Sequence, residues 1–462
     1  MRGAIIELFI CDHQPILNNM KSKLLLLSGC LVLALNSCRS DIENAQSDSI
    51  DQTTTKLDNT KIHKLLINGK YTYVNEVNGE YFYADDITIS AEQFDKLKMQ
   101  ANSEISTTEK STIVSSFIKT WPNATVYYTL PSQGTMSTQN YNTFLTNINK
   151  AFDMISSQTS MQFVERTNQT EYITFTYTTS NSSPLGWQKN RVNGIKIYNI
   201  TYPAIIAHEI MHSMGIMHEQ CRPDRDQYII VDVNKAVEGS RHNFNLYNDY
   251  AGHGAFDFGS VMMYQSTDFA IDPSQPVMTK LDGSTFTKQR TGLSAGDYAG
   301  INHLYGPVNA SSAINGTYTM TTALANDKNV DITGSSTTDG TSIILYSAST
   351  GNNQRFTFSK SDHGYYIIKS ILDPSKVLTV KGNGTTSGTA VELRTNANTD
   401  SQKWLLFNLG NNGFGFAPKN APALRLEVKD GLTTNLTPIV IGTTDQTVQP
   451  STKQRFILTK VN

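Results

Sequence analysis

The segment HEIMHSMGIMHEQ, residues 208–220, holds three of the nine histidines of this 462-residue chain. His208 and His212 are four residues apart, so a helix would place both imidazoles on one face. The preceding residues TYPAIIA favour a helix, because they are mainly apolar and Pro203 suits a first-turn position. The sequence therefore predicts a helix that presents two metal-binding side chains in the same direction.

The third histidine cannot join this pair on a continued helix, because His218 would lie about 15 Å from His208 along the helix axis. Gly215 removes the difficulty, since glycine can end a helix in a left-handed conformation and turn the chain back. Three imidazoles can then bind one metal ion and leave a fourth position open, as in catalytic zinc sites. Glu209 follows the first ligand and is placed to act as a general base on a water molecule.

A buried helix with scattered polar residues is the alternative interpretation of these histidines. Two histidines at helical spacing are often structural, but H-E-x-x-H-x-x-G-x-x-H is far more specific, and a methionine turn is expected to follow it. FDFGSVMMY, residues 256–264, is the candidate for that turn. The longer pattern therefore favours a zinc-dependent hydrolase over a structural helix.

From about residue 111 to residue 307 the chain resembles the astacin family of zinc endopeptidases, which are metzincins. The stretches that carry the resemblance are HEIMHSMGIMHEQCRPDRD at 208–226, RHNFNLY at 241–247, GSVMMY at 259–264 and LSAGDYAGINHLYG at 293–306. The resemblance implies an α+β catalytic domain whose two lobes enclose one zinc ion in a cleft.

The resemblance also implies a role for each residue of the site. By position, the zinc ligands and the general base are His208, His212, His218 and Glu209. Met262 would form the hydrophobic floor below the metal, and Tyr264 would bind zinc at rest and stabilise the oxyanion during turnover. Glu219 would anchor the mature amino terminus. The cysteines that form disulfides in animal members are absent from this sequence. Cys221 is interpreted as a small packed residue.

The amino terminus predicts export from a bacterial cell. From Met20 onward come two lysines, an apolar run and LNSC, which ends at Cys38 and resembles a bacterial lipobox. We interpret residues 1–38 as a signal peptide that starts at Met20 and ends at a lipidated Cys38; an ordinary secretory signal is the alternative. The exported protein would be secreted, or it would be held at the outer membrane by the lipid on Cys38. This lipid is the one membrane contact that we expect. A formal net charge of −2 without basic runs disfavours nucleic acid as a partner.

Residues 39–110 are interpreted as a tether and a propeptide. Within them YADD, residues 83–86, loosely resembles the F-x-G-D motif of astacin propeptides, whose aspartate caps the zinc. Asp86 is therefore the candidate zymogen switch, and replacing Asp85 should have little effect. A solvated turn with two acids is the alternative. In the catalytic domain, residues 111–307, GIKIY at 194–198 is expected to be the edge strand that pairs with an extended substrate.

Residues 308–462 resemble a ricin-type β-trefoil lectin. Three similar stretches recur about fifty residues apart, in the manner of its Q-x-W repeat: NQRF at 353–356, SQKW at 401–404 and KQRF at 453–456. The glutamine and the aromatic residue of each stretch are interpreted as core residues. The repeats therefore predict the fold of this domain more directly than its function.

A sugar pocket of the ricin type needs an acid, an aromatic face and an amide beside the motif glutamine. The first repeat supplies this set as Asp331, Tyr346, Asn353 and Gln354. Ile344 stands where relatives have a polar residue, which predicts weak binding. The second repeat replaces the acid and the aromatic residue by Thr379 and Arg394, and the third has Glu427 but Gly442 in place of the aromatic face. We expect at most one sugar pocket, in the first repeat; a purely structural trefoil is the alternative.

These features together predict a multidomain protein, with an α+β metzincin catalytic domain followed by an all-β trefoil. The predicted function is that of a secreted, monomeric zinc endopeptidase that hydrolyses peptide bonds of proteins and carries a carbohydrate-binding appendage. A glycan-binding adhesin with an inert peptidase domain is the alternative. The intact zinc ligands, Glu209 and Tyr264 argue against that alternative.

Overall fold

The structure is a computed structural model that describes residues 60–67, 69–103, 118–247, 252–305, 314, 316–444 and 451–461. Cys38 and the predicted signal peptide lie outside these residues. In the part of the chain that is described, no helix is both long enough and apolar enough to span a membrane.

An antiparallel sheet and one helix form an amino-terminal unit. Its elements are β1 (Thr60–Ile67), β2 (Lys70–Val77), β3 (Glu80–Ala84), β4 (Ile87–Ile89) and α1 (Ala91–Ser103). Apolar residues on one face of the strands, such as Val74, pack against Phe94 of the helix. The same core contains Leu185, Met217 and Tyr247 from the catalytic domain, so the unit completes its core only against that domain.

The first lobe of the catalytic domain is a parallel sheet packed against two helices. Its elements are β5 (Thr125–Thr129), α2 (Thr138–Ser156), β6 (Gln162–Glu165), β7 (Tyr172–Tyr177), β8 (Ser183–Pro184), β9 (Val192–Ile197) and α3 (Pro203–Ser213). The sheet order is β6-β5-β7-β9, with every pair parallel. Phe144, Ile148 and Phe152 recur at four-residue spacing on α2 and are fully buried, as their periodicity predicts.

The edge of this sheet includes most of the segment GIKIY. Strand β9, which contains most of GIKIY, is the outer strand of the parallel sheet, but Ser182 forms a bridge with Lys196 on its open side. Strand β8, which comes directly after Ser182, pairs in parallel with β4 of the amino-terminal unit. The pairing of GIKIY with an extended substrate therefore stays a prediction, whereas the extended segment β4 pairs with β8. A two-residue strand such as β8 has no periodicity by which sequence analysis could find it.

The second lobe is mostly irregular, with β10 (Ile229–Val231), β11 (Met278–Lys280) and α4 (Ala295–Leu304). Helix α4 begins with a capping box between Ser294 and Asp297. Asp297 also accepts hydrogen bonds from the Ser260 hydroxyl at 2.6 Å and from the Val261 N–H at 2.9 Å. The start of α4 therefore fixes the backbone just before the methionine turn.

The carboxy-terminal domain is all β. Its strands are β12 (Gly316–Thr322), β13 (Lys328–Ile332), β14 (Thr341–Ser347), β15 (Phe356–Lys360), β16 (Tyr366–Ser370), β17 (Lys376–Val380), β18 (Val391–Thr395), β19 (Lys403–Asn408), β20 (Gly413–Pro418), β21 (Leu424–Val428), β22 (Thr437–Thr443) and β23 (Phe456–Val461). The three motif aromatic residues, Phe356, Trp404 and Phe456, are fully buried. Their interpretation as core residues is confirmed.

The trefoil packs directly against the first lobe of the catalytic domain. Val164 of β6 shares a small apolar cluster with Tyr365 and Leu405 of the trefoil. Gly364 has φ +81°, and a Cβ atom there would lie 2.4 Å from the Met161 carbonyl oxygen. Only glycine permits both that backbone conformation and that close approach, so the turn is shaped for the contact between the domains.

Candidate metal centre

The predicted helix is confirmed as α3, with Pro203 in its first turn. Gly215 follows its end with φ +93° and turns the chain back, as the spacing of the histidines requires. The Nε2 atom of His208 lies 3.0 Å from Nε2 of His212 and 3.3 Å from Nε2 of His218. Three imidazoles separated by up to ten residues therefore converge on one point.

The protonation of these imidazoles fits a metal ion. Nδ1 of His208 lies 2.9 Å from the Val261 carbonyl oxygen, and Nδ1 of His212 lies 2.8 Å from the Ile216 carbonyl oxygen. A carbonyl oxygen only accepts, so each Nδ1 carries the proton and each Nε2 is left with a lone pair. Burial lowers the pKa of His208 to about 3, which keeps its ring neutral. Neutral nitrogen donors that converge in this way suit zinc.

Asp86 completes the group of potential ligands. Its Oδ2 lies 3.1 Å from Nε2 of His218, 3.4 Å from that of His208 and 3.9 Å from that of His212. These four residues form the one cluster of three or more histidine, cysteine or acidic side chains with metal-binding geometry in the described ranges. The turn between β3 and β4 thus brings a carboxylate of the amino-terminal unit to the fourth position.

Asp85 points elsewhere, although it is the next residue in the chain. Its Oδ1 lies 2.8 Å from Nε2 of His242, and its backbone N–H donates to the Asn243 side chain at 2.7 Å. Asp85 therefore contacts the catalytic domain, and the small effect expected on replacing it stays a prediction. The sequence pointed to Asp86 only through its place in a loose motif, because the partners of both acids lie more than a hundred residues away.

Glu209 is 2% exposed and lies directly after the first histidine ligand. Burial raises its pKa well above the usual range, and the negative charge of Asp86 raises it further, against the positive charge of Arg290. Among the residues described, no hydrogen-bond partner reaches its Oε2. A buried carboxylate without a partner is a strong proton acceptor, as general-base catalysis requires.

The methionine turn brings Tyr264 to the metal ligands. Its ring lies 4.4 Å from the ring of His218, and its hydroxyl donates to Oδ1 of Asp86 at 3.4 Å. Burial raises the pKa of Tyr264 well above its usual value, so the hydroxyl keeps its proton and can donate. Met262 is buried in the same turn, and its carbonyl oxygen accepts from the Glu219 N–H at 3.1 Å. Its role as a floor below the metal stays a prediction.

The carboxylate of Glu219 already accepts two hydrogen bonds within the chain. Its Oε1 accepts from the Arg222 guanidinium at 3.0 Å and from the Asp257 N–H at 2.8 Å. Burial raises its pKa to about 7. Its predicted contact with a mature amino terminus therefore stays a prediction. Cys221 is buried and free, which agrees with its interpretation as a packed residue.

Sequence analysis missed Arg290 as a member of the site. Its guanidinium donates to the carbonyl oxygens of Met263 at 3.2 Å and Gln289 at 2.8 Å, next to the methionine turn. Its positive charge opposes the rise in the pKa of Glu209. The residue belongs to no motif, and only the tertiary fold brings it to the site.

The first trefoil repeat assembles the predicted sugar-binding set. Oδ2 of Asp331 accepts from the side-chain amides of Asn353 and Gln354, each at 2.7 Å. Tyr346 is 40% exposed and lies on β14, two residues after Ile344, the partner of Asp331 in the β13–β14 pair. Acid, amides and an open aromatic face therefore lie together.

The other two repeats are arranged differently. In the second, Thr379 accepts a hydrogen bond from Gln402 at 3.2 Å. In the third, Glu427 accepts from Gln454 at 2.7 Å, and a Cβ atom at Gly442 would lie 2.2 Å from the Glu427 carboxyl carbon. The longer acid thus fills the space of an aromatic side chain, which leaves no stacking face there.

Known proteins resemble this chain in both its catalytic domain and its trefoil. Residues 113–306 match the peptidase family described as Astacin, and residues 352–442 match the ricin-type beta-trefoil lectin domain-like family. Flavastacin of Elizabethkingia meningoseptica is 82% identical over 443 residues, which are 96% of this chain and 100% of that protein. High choriolytic enzyme 1 of Oryzias latipes is 31% identical over 160 residues, 34% of this chain and 59% of the relative. A solved structure of that hatching enzyme covers 43% of this chain and 98% of its own, with 29% identity and a TM-score of 0.37.

The long match to flavastacin and the family match across the catalytic domain lead to one assignment. The chain belongs to the astacin family and is a zinc endopeptidase with a ricin-type β-trefoil domain at its carboxy-terminal end.

Proposed function

We propose that this zinc endopeptidase is made as a latent precursor, in which Asp86 holds the fourth metal position until the propeptide leaves. The observation that carries the proposal is the placement of Oδ2 of Asp86 within 3.1–3.9 Å of all three imidazole Nε2 atoms. A carboxylate there occupies the position that a water molecule needs for hydrolysis.

The propeptide backbone supports the same proposal. The Ser183 N–H donates to the Asp86 carbonyl oxygen at 2.8 Å, and the Leu185 N–H donates to the Thr88 carbonyl oxygen at 2.9 Å. Edge groups of this kind are the ones an extended substrate uses to bind. Because the propeptide takes both the metal position and these groups, a substrate cannot enter while it is in place.

After removal of the propeptide, the residues of the chain have separate roles in hydrolysis. His208, His212 and His218 would hold the zinc ion, which would supply Lewis acidity to activate a water molecule and to polarise the scissile carbonyl. Glu209 accepts the proton of the attacking water and then delivers it to the leaving nitrogen. The Tyr264 hydroxyl donates a hydrogen bond to the developing oxyanion.

Two further features extend the proposal. The signal-like segment from Met20 and the likeness to a bacterial relative support export, and LNSC supports lipidation of Cys38 as the route to the membrane. The arrangement of Asp331, Tyr346 and Asn353 supports a single sugar pocket in the first trefoil repeat. Substrate proteins and glycans would then be the partners of a monomeric enzyme.

The test compares zinc content and casein hydrolysis for the full-length chain and the activated enzyme. We expect Glu209→Gln to keep zinc and lose about a hundredfold to ten-thousandfold in turnover, because ligation is by histidine and only the base is lost. We expect Asp86→Ala to raise the activity of the uncleaved chain. Asp95→Ala is the matched control, since Asp95 pairs only with Lys98 of its own helix in the ion pairs found. An uncleaved wild-type chain as active as the trimmed form would refute the proposed latency.

A further inference from the structure

The segment His242–Tyr247 of the catalytic domain contacts the amino-terminal unit through several side chains. The clearest contact is made by Asn245, whose Nδ2 donates to the Tyr73 carbonyl oxygen at 2.8 Å and whose Oδ1 accepts from the Tyr73 N–H at 3.0 Å. One amide thus pairs with both backbone groups of one residue, as a neighbouring strand would.

The position of Tyr73 explains why this pairing matters. Strands β2 and β3 pair at Asn75–Val77, so their ladder of paired residues ends before it reaches Tyr73. An unpaired buried N–H or C=O costs free energy. The Asn245 side chain therefore replaces the missing strand and completes the sheet of the propeptide.

A second group of contacts lies around His242, which is 1% exposed. The side-chain amide of Asn75 donates to the Gly239 carbonyl oxygen at 2.8 Å and lies 3.3 Å from Nδ1 of His242. On the other side of the ring, Oδ1 of Asp85 lies 2.8 Å from Nε2, close in distance but without an aligned N–H. The backbone N–H of Asp85 donates to the Asn243 side chain.

The segment ends in an apolar contact. The ring of Tyr247 packs against that of Tyr83 at a tilt of 35°, with centroids 4.5 Å apart, and its hydroxyl donates to the Tyr83 carbonyl oxygen at 3.3 Å. The segment thus contacts strands β2 and β3 and the turn after β3 through four side chains. Asn243 and Asn245 bind backbone groups, and His242 and Tyr247 supply a buried imidazole and an aromatic ring. None of these four side chains belongs to the cluster of potential metal ligands.

We propose that His242–Tyr247 is a binding site for an extended polypeptide, distinct from the metal ligands, and that it retains the propeptide after the connecting chain has been cut. The inference rests on the proposed latency and adds that activation has two steps, cleavage and dissociation. Asp86 blocks the metal, whereas this segment supplies the affinity that keeps Asp86 in place.

The test measures retention directly. The full-length chain receives a site for a specific protease between Ser103 and Ile118, in a Glu209→Gln background that prevents self-digestion. After cleavage, size-exclusion chromatography with mass spectrometry follows whether the fragment that contains residues 60–103 elutes with the rest. Variants on the propeptide side are chosen because every one of them leaves the same mature enzyme.

We expect the cut wild-type chain to release its fragment slowly. In the Asn75→Ala, Asp85→Ala double variant, the dissociation rate of the fragment should be at least about tenfold higher than in the wild type. Asp95→Ala, on the exposed face of α1, should behave as the wild type. Asn245→Asp gives a second measurement, because its carboxylate keeps the acceptor for Tyr73 but cannot donate to the Tyr73 carbonyl oxygen. Hydrolysis by the same variants with Glu209 restored should rise in step with release.

Each outcome decides between the two proposals. If the double variant and Asn245→Asp keep the fragment as the wild type does, or if the wild-type fragment leaves at once on cleavage, the retention site is refuted. If Asp86→Ala alone releases the fragment as fast as the double variant, the metal contact provides the affinity and the site is again refuted. If the double variant releases its fragment but uncleaved Asp86→Ala gains no activity, the proposed metal block fails while the retention site stands.

Discussion

Gln162 connects the catalytic domain to the trefoil. We expect Gln162→Ala to lower the free energy of unfolding and to weaken the coupling between the two domains. Nε2 of Gln162 donates to the Leu406 carbonyl oxygen at 2.9 Å, and its Oε1 accepts from the Leu406 N–H at 3.1 Å. Both residues are buried, so truncation at Cβ leaves a donor and an acceptor of Leu406 without partners.

The expected loss follows from those two groups. A buried polar group left without a partner costs about 1–3 kcal/mol, so two such groups set a range of about 2–6 kcal/mol. Gln162 and Leu406 line a cavity of about 590 Å³ between the domains, through which water can reach the freed groups. We therefore expect the lower part of the range, about 2–3 kcal/mol in the free energy of unfolding.

Urea unfolding followed by circular dichroism and tryptophan fluorescence measures this loss. The variant should have a lower midpoint, and the transitions of the two domains should separate, because the contact that couples them is weakened. Gln275→Ala is the matched control, since Gln275 lies on the exposed surface. A change below about 0.5 kcal/mol in Gln162→Ala would mean that the trefoil is only loosely attached.

Three further predictions concern the metal site, the trefoil pocket and the pH dependence of stability. In the activated enzyme, Tyr264→Phe should keep zinc but lower kcat, with a barrier higher by about 2.7–4 kcal/mol, because one donor to the oxyanion is lost; an unchanged kcat would exclude that role. On a glycan array, the full chain with Asp331→Ala and Tyr346→Ala should lose any binding that the wild type has, whereas persistent binding would place the pocket elsewhere. Burial alone would raise the pKa of Asp362, but hydrogen bonds from Lys403, Ser361 and Lys419 outweigh it and hold that pKa well below the usual range. A lowered folded-state pKa stabilises the fold above the unfolded pKa of about 3.9, and this contribution is lost as the pH falls through the folded value. Asp362→Asn should therefore cost about 1–2 kcal/mol at pH 7, and thermal unfolding should find the difference reduced near pH 2; an equal difference at both pH values would contradict the assignment.

The metal ligands were predictable from the sequence because local geometry determines them. Helical spacing orients His208 and His212, and one glycine with a positive φ brings His218 back to them. Each of these steps depends on residues fewer than a dozen apart. A pattern of that length therefore carries most of the information about the site.

The fourth position was harder to predict, because it depends on contacts between distant parts of the chain. YADD offers two adjacent acids, which lie in the turn between β3 and β4. The register of the β3–β4 pair, with its irregularity between Phe82 and Ala84, determines that Asp86 faces the histidines and Asp85 faces His242. The motif points to Asp86 by position, but nothing local reveals the contact of Asp85 with His242, which only the fold shows.

In the trefoil repeats, the residues that maintain the fold can be compared with those that would form a sugar pocket. The motif glutamines Gln354, Gln402 and Gln454 each donate to a backbone carbonyl oxygen near the end of β14, β18 or β22, at 2.8–2.9 Å. This bond recurs in all three repeats because it closes each lobe of the domain. In the first and third repeats this glutamine also donates to the acid, but only the first repeat has an aromatic residue beside it, as Asp331 and Tyr346. A repeated motif therefore predicts the fold at every copy, whereas binding has to be argued one pocket at a time.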